Sequence, residues 1–205
     1  MTKRLTGLVL AGGKSSRLGR DKTQERFSGM RMLERTCHLL RDVCGQVWVS
    51  GRDPSDHGLD FPWIPDEVAG TGPMGGILTC LEQLGTPLLV LACDMPLMDL
   101  ETLDLLAEAH AIGPESTVMT TFRQEETGFI ESLAAIYEPS AAPLLRQAVR
   151  GGQYKLSRAI PEVLRHHIPY SQDQAQAFFN INYPADLALL RQVERLSKLT
   201  ADYAR

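Results

Sequence analysis

The most apolar run of the chain, Leu88-Leu89-Val90-Leu91 within Pro87–Ala92, sets the terms for any fold. It is short, and Pro87 precedes it while Cys93-Asp94-Met95-Pro96 follows. Such a run reads as a strand buried on both faces, as the interior of a parallel sheet requires. Parallel neighbours need crossover connections, usually helices. The remaining sequence supplies both. Strand patterns at Thr6–Leu10, Gln46–Ser50, Thr117–Thr121, Ser132–Tyr137 and His167–Tyr170 alternate with helical spacing over Met32–Val43, Gly75–Leu84, Asp99–Ala111 and Ser140–Arg150. Tyr154–Leu164 contains a further short helix, and Pro184–Leu196 is a strong C-terminal one opened by a proline. Residues 51–65, with Pro54, Gly58, Pro62 and Pro65, read as loop. The expected class is α/β, a mostly parallel sheet with helices on both faces. With 205 residues and no internal repeat or boundary signal, residues 1–205 are expected to form one domain.

Bulk properties narrow the function classes. A net charge of −4 gives no support to general nucleic-acid or anionic-membrane binding. No apolar run approaches the roughly 20 residues that cross a bilayer, and no targeting segment is apparent, so the cytoplasm is the expected location. Cys37, Cys44, Cys80 and Cys93 form no close C-x-x-C pair, which argues against zinc. Cys80 and Cys93 read as small core residues, and nothing requires a disulfide between Cys37 and Cys44. The histidines (38, 57, 110, 166, 167) have no metal-binding spacing with a carboxylate, and there is no Gly-x-Ser-x-Gly elbow.

Ligands of such sheets bind outside the C-terminal ends of the strands, and the glycine-rich loops fall there. The first strand breaks into Leu10-Ala11-Gly12-Gly13-Lys14-Ser15-Ser16-Arg17-Leu18-Gly19-Arg20-Asp21-Lys22. Glycines let backbone N–H groups approach an anion, a following helix adds its dipole, and Lys14, Arg17, Arg20 and Lys22 add charge. It is not a P-loop, because Leu8 occupies the position of that motif's first glycine, nor a dinucleotide fingerprint, because Gly12 and Gly13 are adjacent. It reads as a third kind of phosphate cradle, against the alternative of an ordinary strand-to-helix turn with exposed basic residues.

Three later segments offer chemistry. Asp94 follows the apolar strand, and Pro96 turns the chain so that the carboxylate stays at the rim. There it is either a ligand for Mg2+ or a cap for the next helix. The loop Asp66-Glu67-Val68-Ala69-Gly70-Thr71-Gly72-Pro73-Met74-Gly75-Gly76 allows close backbone approach to a flat base, with Asp66 as an acceptor, or is simply a long surface loop. Asn180 and Asn182 alternate, so they face one side of an extended segment. Their amides suit a metal or phosphate oxygens, while helix capping before Pro184 is the plainer reading, for Asn182 in particular.

Together these four segments resemble the molybdenum cofactor guanylyltransferase family (molybdopterin-guanine dinucleotide biosynthesis protein A), within the nucleotidyltransferase superfamily. Its Leu-Ala-Gly-Gly-x-Ser-x-Arg-hydrophobic-Gly-x-Asp-Lys is met at Leu10–Lys22, its Gly-Pro-hydrophobic-Gly/Ala-Gly-Ile at Gly72–Ile77, its Cys-Asp-Met-Pro at Cys93–Pro96, and its Asn-x-Asn-x-Pro-x-Asp-Leu at Asn180–Leu187. The first motif is shared with cytidylyl-, uridylyl- and thymidylyltransferases; the combination is more specific. Two positions depart: Ser50-Gly51-Arg52 lacks an asparagine often found there, and Tyr183 replaces a common threonine.

The resemblance implies a three-layer Rossmann-like nucleotidyltransferase fold and the transfer of GMP from GTP to the terminal phosphate of molybdopterin, with release of pyrophosphate. It implies that Arg17, Lys22 and Asp94 are catalytic, and that Leu10, Ala11, Gly12, Gly13, Lys22, Asp66, Gly72, Gly75 and Asp94 bind GTP. It implies Mg2+ on Asp94 and Asn182, with the pterin near Asn180 and Asn182. The partners it implies are GTP and molybdopterin, with transient contact to other cofactor-biosynthesis proteins or molybdoenzyme chaperones, and neither nucleic acid nor membrane. The attacking phosphate is already an anion, so no general base is needed. Two alternatives stay open: another transferase of this fold, using CTP or loading a sugar phosphate or other small molecule, and a non-catalytic nucleotide-binding module.

Overall fold

A computed structural model describes residues 5–12, 21–67 and 70–203, with side chains to residue 196. The chain begins with strand β1 (Thr6–Leu10) and, beyond a one-turn helix at Lys22–Gln24, forms a small antiparallel pair, β2 (Arg26–Phe27) and β3 (Met30–Arg31). Helix α1 (Met32–Val43) leads to β4 (Gln46–Ser50) and β5 (Trp63–Ile64). Helix α2 (Pro73–Leu84), β6 (Leu88–Ala92) and α3 (Leu100–Ile112) come next. The hairpin β7 (Met119–Gln124) and β8 (Ile130–Tyr137) is followed by α4 (Ala142–Arg150), α5 (Leu156–Ala159), β9 (Arg165–Tyr170) and α6 (Pro184–Tyr203).

Seven strands form one sheet in the order β5-β4-β1-β6-β8-β7-β9. Strand β1 is central to the first half, with Leu8 paired to Trp48 on one side and Val90 on the other, both in parallel. Every residue of β6 is buried, as the apolar run requires. Its side chains alternate. Leu89 and Leu91 join the cluster under α1 and α3, with Val9, Leu33, Leu40, Leu103 and Leu106. Leu88 and Val90 join the opposite cluster under α2 and α4, with Leu8, Met74, Ile77, Leu81 and Leu145. Each such leucine contributes about 1.5–3 kcal/mol relative to an exposed one. This is the three-layer arrangement expected of the sequence.

The structure corrects the reading in five places. Residues 51–65 are not all loop: a one-turn helix, Pro54–His57, and β5 lie within them. The β2–β3 pair was not anticipated. Strand β8 runs antiparallel to both neighbours, because only residues 125–129 separate it from β7, too few for a parallel crossover. The last helix extends to Tyr203, and β7 begins at Met119 rather than Thr117. All four cysteines are free and buried. Among the described residues, no helix is long and apolar enough to cross a membrane.

Candidate active site

Strands β1, β4, β5 and β6 are parallel, so the chain leaves all four on one rim. Gly12 follows β1, Gly51 and Arg52 follow β4, Asp66 follows β5 and Asp94 follows β6. Strand order reverses at β1, whose sequence neighbours lie on one side and β6 on the other. That reversal is where open α/β sheets form their ligand crevice.

On the β6 side the structure brings together three residues singled out from sequence. The Lys22 ammonium donates to Asp94 Oδ2 at 3.0 Å and to Asn182 Oδ1 at 2.7 Å. Both ends of the Lys22–Asp94 ion pair are 19% exposed. The backbone ties the two later segments together, Ile181 N–H donating to Asp94 O at 2.9 Å. Ile181 itself is buried with Met32, Leu187 and Leu190.

The capping alternatives for this cluster do not hold. Asp99, not Asp94, caps α3, its Oδ1 accepting from Thr102 N–H at 2.8 Å. Ahead of α6, Asp186 accepts from the Asn182 and Tyr183 N–H groups at 2.8 and 2.7 Å. This leaves the Asn182 amide to Lys22. The Tyr183 side chain is exposed, and the bond the residue makes here is through its backbone N–H.

Asp94 Oδ1 is buried and has no hydrogen-bond partner among the described residues. A buried carboxylate oxygen without a partner is costly unless positive charge or a donor is supplied. A hard divalent cation fits that oxygen. Among the described residues no group of three or more His, Cys, Asp and Glu side chains could hold a metal, so a cation here would draw most of its ligands from phosphate oxygens and water, the usual manner for Mg2+. Asn180 donates from Nδ2 to Phe178 O at 3.0 Å, and its Oδ1 is likewise buried without a partner. It does not bond to Lys22 or Asp94.

On the β4–β5 side, the walls of the rim are glycines. Ser50 Oγ donates to Asp66 Oδ1 at 3.0 Å. A Cβ on Gly12 would stand 2.7 Å from Asp66 Oδ2, and one on Gly76 would stand 2.3 Å from Ser50 Oγ. Gly51 has φ +81°, and its Cβ would lie 2.8 Å from both Asp66 Oδ2 and the Gly12 Cα. Gly51 admits no side chain without strain, while a Cβ at Gly12 or Gly76 would displace the Asp66 carboxylate or the Ser50 hydroxyl. The exposed carboxylate of Asp66 is thus held over a surface made of backbone. Ser50 and Gly51, which departed from the family pattern, belong to this cradle; the signal that points to them is their place at the C-terminal end of β4, on the same rim.

Other predicted residues are placed as follows. Leu10 and Ala11 are buried, and their backbone is engaged inside the sheet: Ala11 N–H donates to Ser50 O at 3.1 Å and Leu10 O accepts from Cys93 N–H at 3.2 Å. Ala11 therefore offers no free amide to a ligand. Gly72, with φ +60°, is the N-cap residue ahead of Pro73 at the start of α2, and Gly75 is buried in its first turn. Gly13, Lys14, Arg17 and Arg20 lie outside the described residues. The Cys93 thiol beside Asp94 is pushed up to about 12 by burial and then by the Asp94 charge, so it is no nucleophile at neutral pH.

A parallel-sheet rim with a glycine-walled cradle at one end and a lysine–carboxylate–amide cluster at the other is suited to holding a nucleoside triphosphate. The model of the MobA-like NTP transferase domain matches residues 7–168. The chain belongs to this family. A relative in Chloroflexus aggregans, named "probable molybdenum cofactor guanylyltransferase", is 31% identical over 202 residues, covering 91% of this chain and 93% of the relative. A protein of the same name in Thermococcus gammatolerans is 31% identical over 197 residues, covering 92% of this chain and all of its own (100%). Among solved structures, molybdopterin-guanine dinucleotide biosynthesis protein A from Archaeoglobus fulgidus superposes with a TM-score of 0.73 at 26% identity, over 95% of this chain and 99% of that one. A 2-C-methyl-D-erythritol 4-phosphate cytidylyltransferase from Thermus thermophilus, at 18% identity and a TM-score of 0.66, shares the fold alone. Membership of the NTP transferase family makes the chain a nucleotidyltransferase, and both ends of the rim carry residues of the family's motifs.

Proposed function

We propose that the chain transfers GMP from GTP to the terminal phosphate of molybdopterin, forming the guanine dinucleotide cofactor and pyrophosphate. The observation that carries the chemistry is the meeting of Lys22, Asp94 and Asn182 at one point of the rim; the choice of base and acceptor leans on the names of the relatives. A pterin phosphate oxygen bonds to the α-phosphorus of GTP, the bond from that phosphorus to the β-phosphate oxygen breaks, and pyrophosphate leaves with the electron pair. No proton is abstracted, which suits a cluster without a general base. The work falls to positioning and charge.

In this reading Lys22 offsets phosphate charge, and Asp94 with Asn182 holds Mg2+. The metal, when bound, neutralises triphosphate oxygens and favours departure of pyrophosphate. Asp66 and the start of α2, with Gly72 and Gly75, receive the base and ribose; Gly12 and Gly13 approach the phosphates, joined by Arg17. Asn180 lies toward the pterin. The cytoplasm is the proposed setting, where four free thiols remain reduced.

The test pairs turnover with binding. With GTP, molybdopterin and Mg2+, the wild type should release pyrophosphate, while Asp94→Ala should release none yet still bind GTP without Mg2+. Full activity of the variant removes Asp94 from the mechanism. A wild type that binds GTP without turnover points to a binding module instead.

A further inference from the structure

Beside the cluster at Lys22 lies a second ion pair that the mechanism above does not use. Asp21 Oδ2 pairs with the Arg52 guanidinium, joining the loop after β1 to the loop after β4. The other oxygen, Asp21 Oδ1, accepts from Thr23 N–H at 3.0 Å and from Thr23 Oγ1 at 2.7 Å. Asp21 thereby caps the one-turn helix Lys22–Gln24, of which Lys22 is the first residue. Thr23 is 2% exposed, and its hydroxyl lies 3.4 Å from Nε2 of the buried His57. Arg31 Nη1 donates to His57 O at 2.9 Å, which brings in the β3 strand. The turn that carries Lys22 is therefore tied to the sheet rim by Arg52 and rests on His57, which Arg31 holds in turn.

A lysine side chain has roughly 2 kcal/mol of rotamer entropy and is a poor positioner of its own charge. Its ammonium reaches Asp94 and Asn182 only if its backbone is fixed. We propose that Arg52 is a positioning residue: by clamping Asp21 it fixes the turn from which Lys22 reaches the phosphates, without touching the substrate itself. This rests on the nucleotidyl-transfer reading of the Lys22 cluster. It also gives a role to Arg52, which follows the Ser50-Gly51 positions that lack the family's asparagine.

The experiment is a double-mutant cycle on Arg52→Ala and Asp21→Ala, with Arg52→Lys as the conservative variant, using whichever nucleoside triphosphate the wild type turns over. Each single variant should lower kcat by roughly 10- to 100-fold, the scale of an ångström-sized misplacement, with nucleotide Kd close to wild type. The double variant should be no worse than the poorer single, and Arg52→Lys should recover part of the rate. Weaker nucleotide binding in Arg52→Ala but not Asp21→Ala makes Arg52 a direct contact and overturns the proposal, as do additive losses or an unchanged kcat. A second readout needs no turnover. Acetylation of Lys22, followed by mass spectrometry against the exposed Lys155, should be slow in the wild type and faster in Arg52→Ala and Asp21→Ala. Equal Lys22 rates in all three contradict the clamp. A wild type with no turnover of any nucleotide, but with faster acetylation in the variants, sinks the functional reading and leaves the clamp standing.

Discussion

Gly51 shows how closely the site depends on single residues. Its φ of +81° lies in the left-handed region, and an added Cβ would meet Asp66 Oδ2 and the Gly12 Cα at 2.8 Å. The backbone strain alone costs of order 1–3 kcal/mol, and the clash pushes the Asp66 carboxylate off the rim. Gly51→Ala should lower the melting temperature and weaken GTP binding in titration calorimetry. Wild-type affinity in that variant would take Asp66 out of the nucleotide site. Some residues of the site were legible because their chemistry is local. Asp94 after a buried strand points to a rim by position alone, and the alternation of Asn180 and Asn182 before Pro184 puts two amides on one side of an extended segment. Partners across the sheet were not. Nothing near Arg52 in sequence says that it meets Asp21, and nothing near Asp66 says that Ser50 donates to it. The capping readings of Asp94 and Asn182 could be rejected only once Asp99 and Asp186 were seen in those roles.

The elements followed from pattern where they were long, and failed where they were short or paired at a distance. Met32–Val43 and Gln46–Ser50 fall where the periodicity puts them. Strand β5, with two residues, carries too little pattern to stand out from a proline-rich loop, yet it brings Asp66 to the rim. The antiparallel course of β8 was available from the short gap after β7, which periodicity does not weigh. Two predictions belong to elements. Asp99 caps α3 from an exposed position, so Asp99→Ala should destabilise by about 1 kcal/mol, seen in calorimetry as a drop of roughly 2–4 °C; no change would mean that water replaces the cap. Strand β8 also buries Glu131, whose neighbour Tyr170 on β9 donates its hydroxyl to Oε1 at 2.5 Å. Burial holds the Glu131 carboxyl above its ordinary 4.5, against the lowering effect of Tyr170. The folded state then binds a proton that the unfolded state has released, so this contribution is present below pH 4.5 and is lost as pH rises through the folded value. Urea unfolding should show wild type losing stability relative to Glu131→Gln between pH 4 and 7. Parallel pH profiles would mean that Glu131 ionises as easily folded as unfolded.

Across the whole molecule, the doubly covered sheet does one thing for function: it delivers four loops to a single rim. Strands β5, β4, β1 and β6 run parallel and so end together, and the reversal at β1 opens the crevice between Asp66 and Asp94. The glycine cradle and the Lys22 cluster then stand at opposite ends of one site. Class and layering were legible from a sequence of alternating strands and helices; the edge strand and the clamps across the rim needed three dimensions. Nucleotidyl transfer follows from membership of the family, whereas the proposed guanine and molybdopterin rest on the names of the relatives, and a hydrogen-bonding site for a base discriminates strongly only when its donors and acceptors match. The decisive measurement is therefore a competition: equimolar GTP, CTP and UTP with molybdopterin and Mg2+, the dinucleotide products resolved by mass spectrometry. The account predicts that the guanine dinucleotide dominates, with pyrophosphate released in equal amount. A dominant cytosine product, or pyrophosphate formed only with another phosphorylated acceptor, would contradict it.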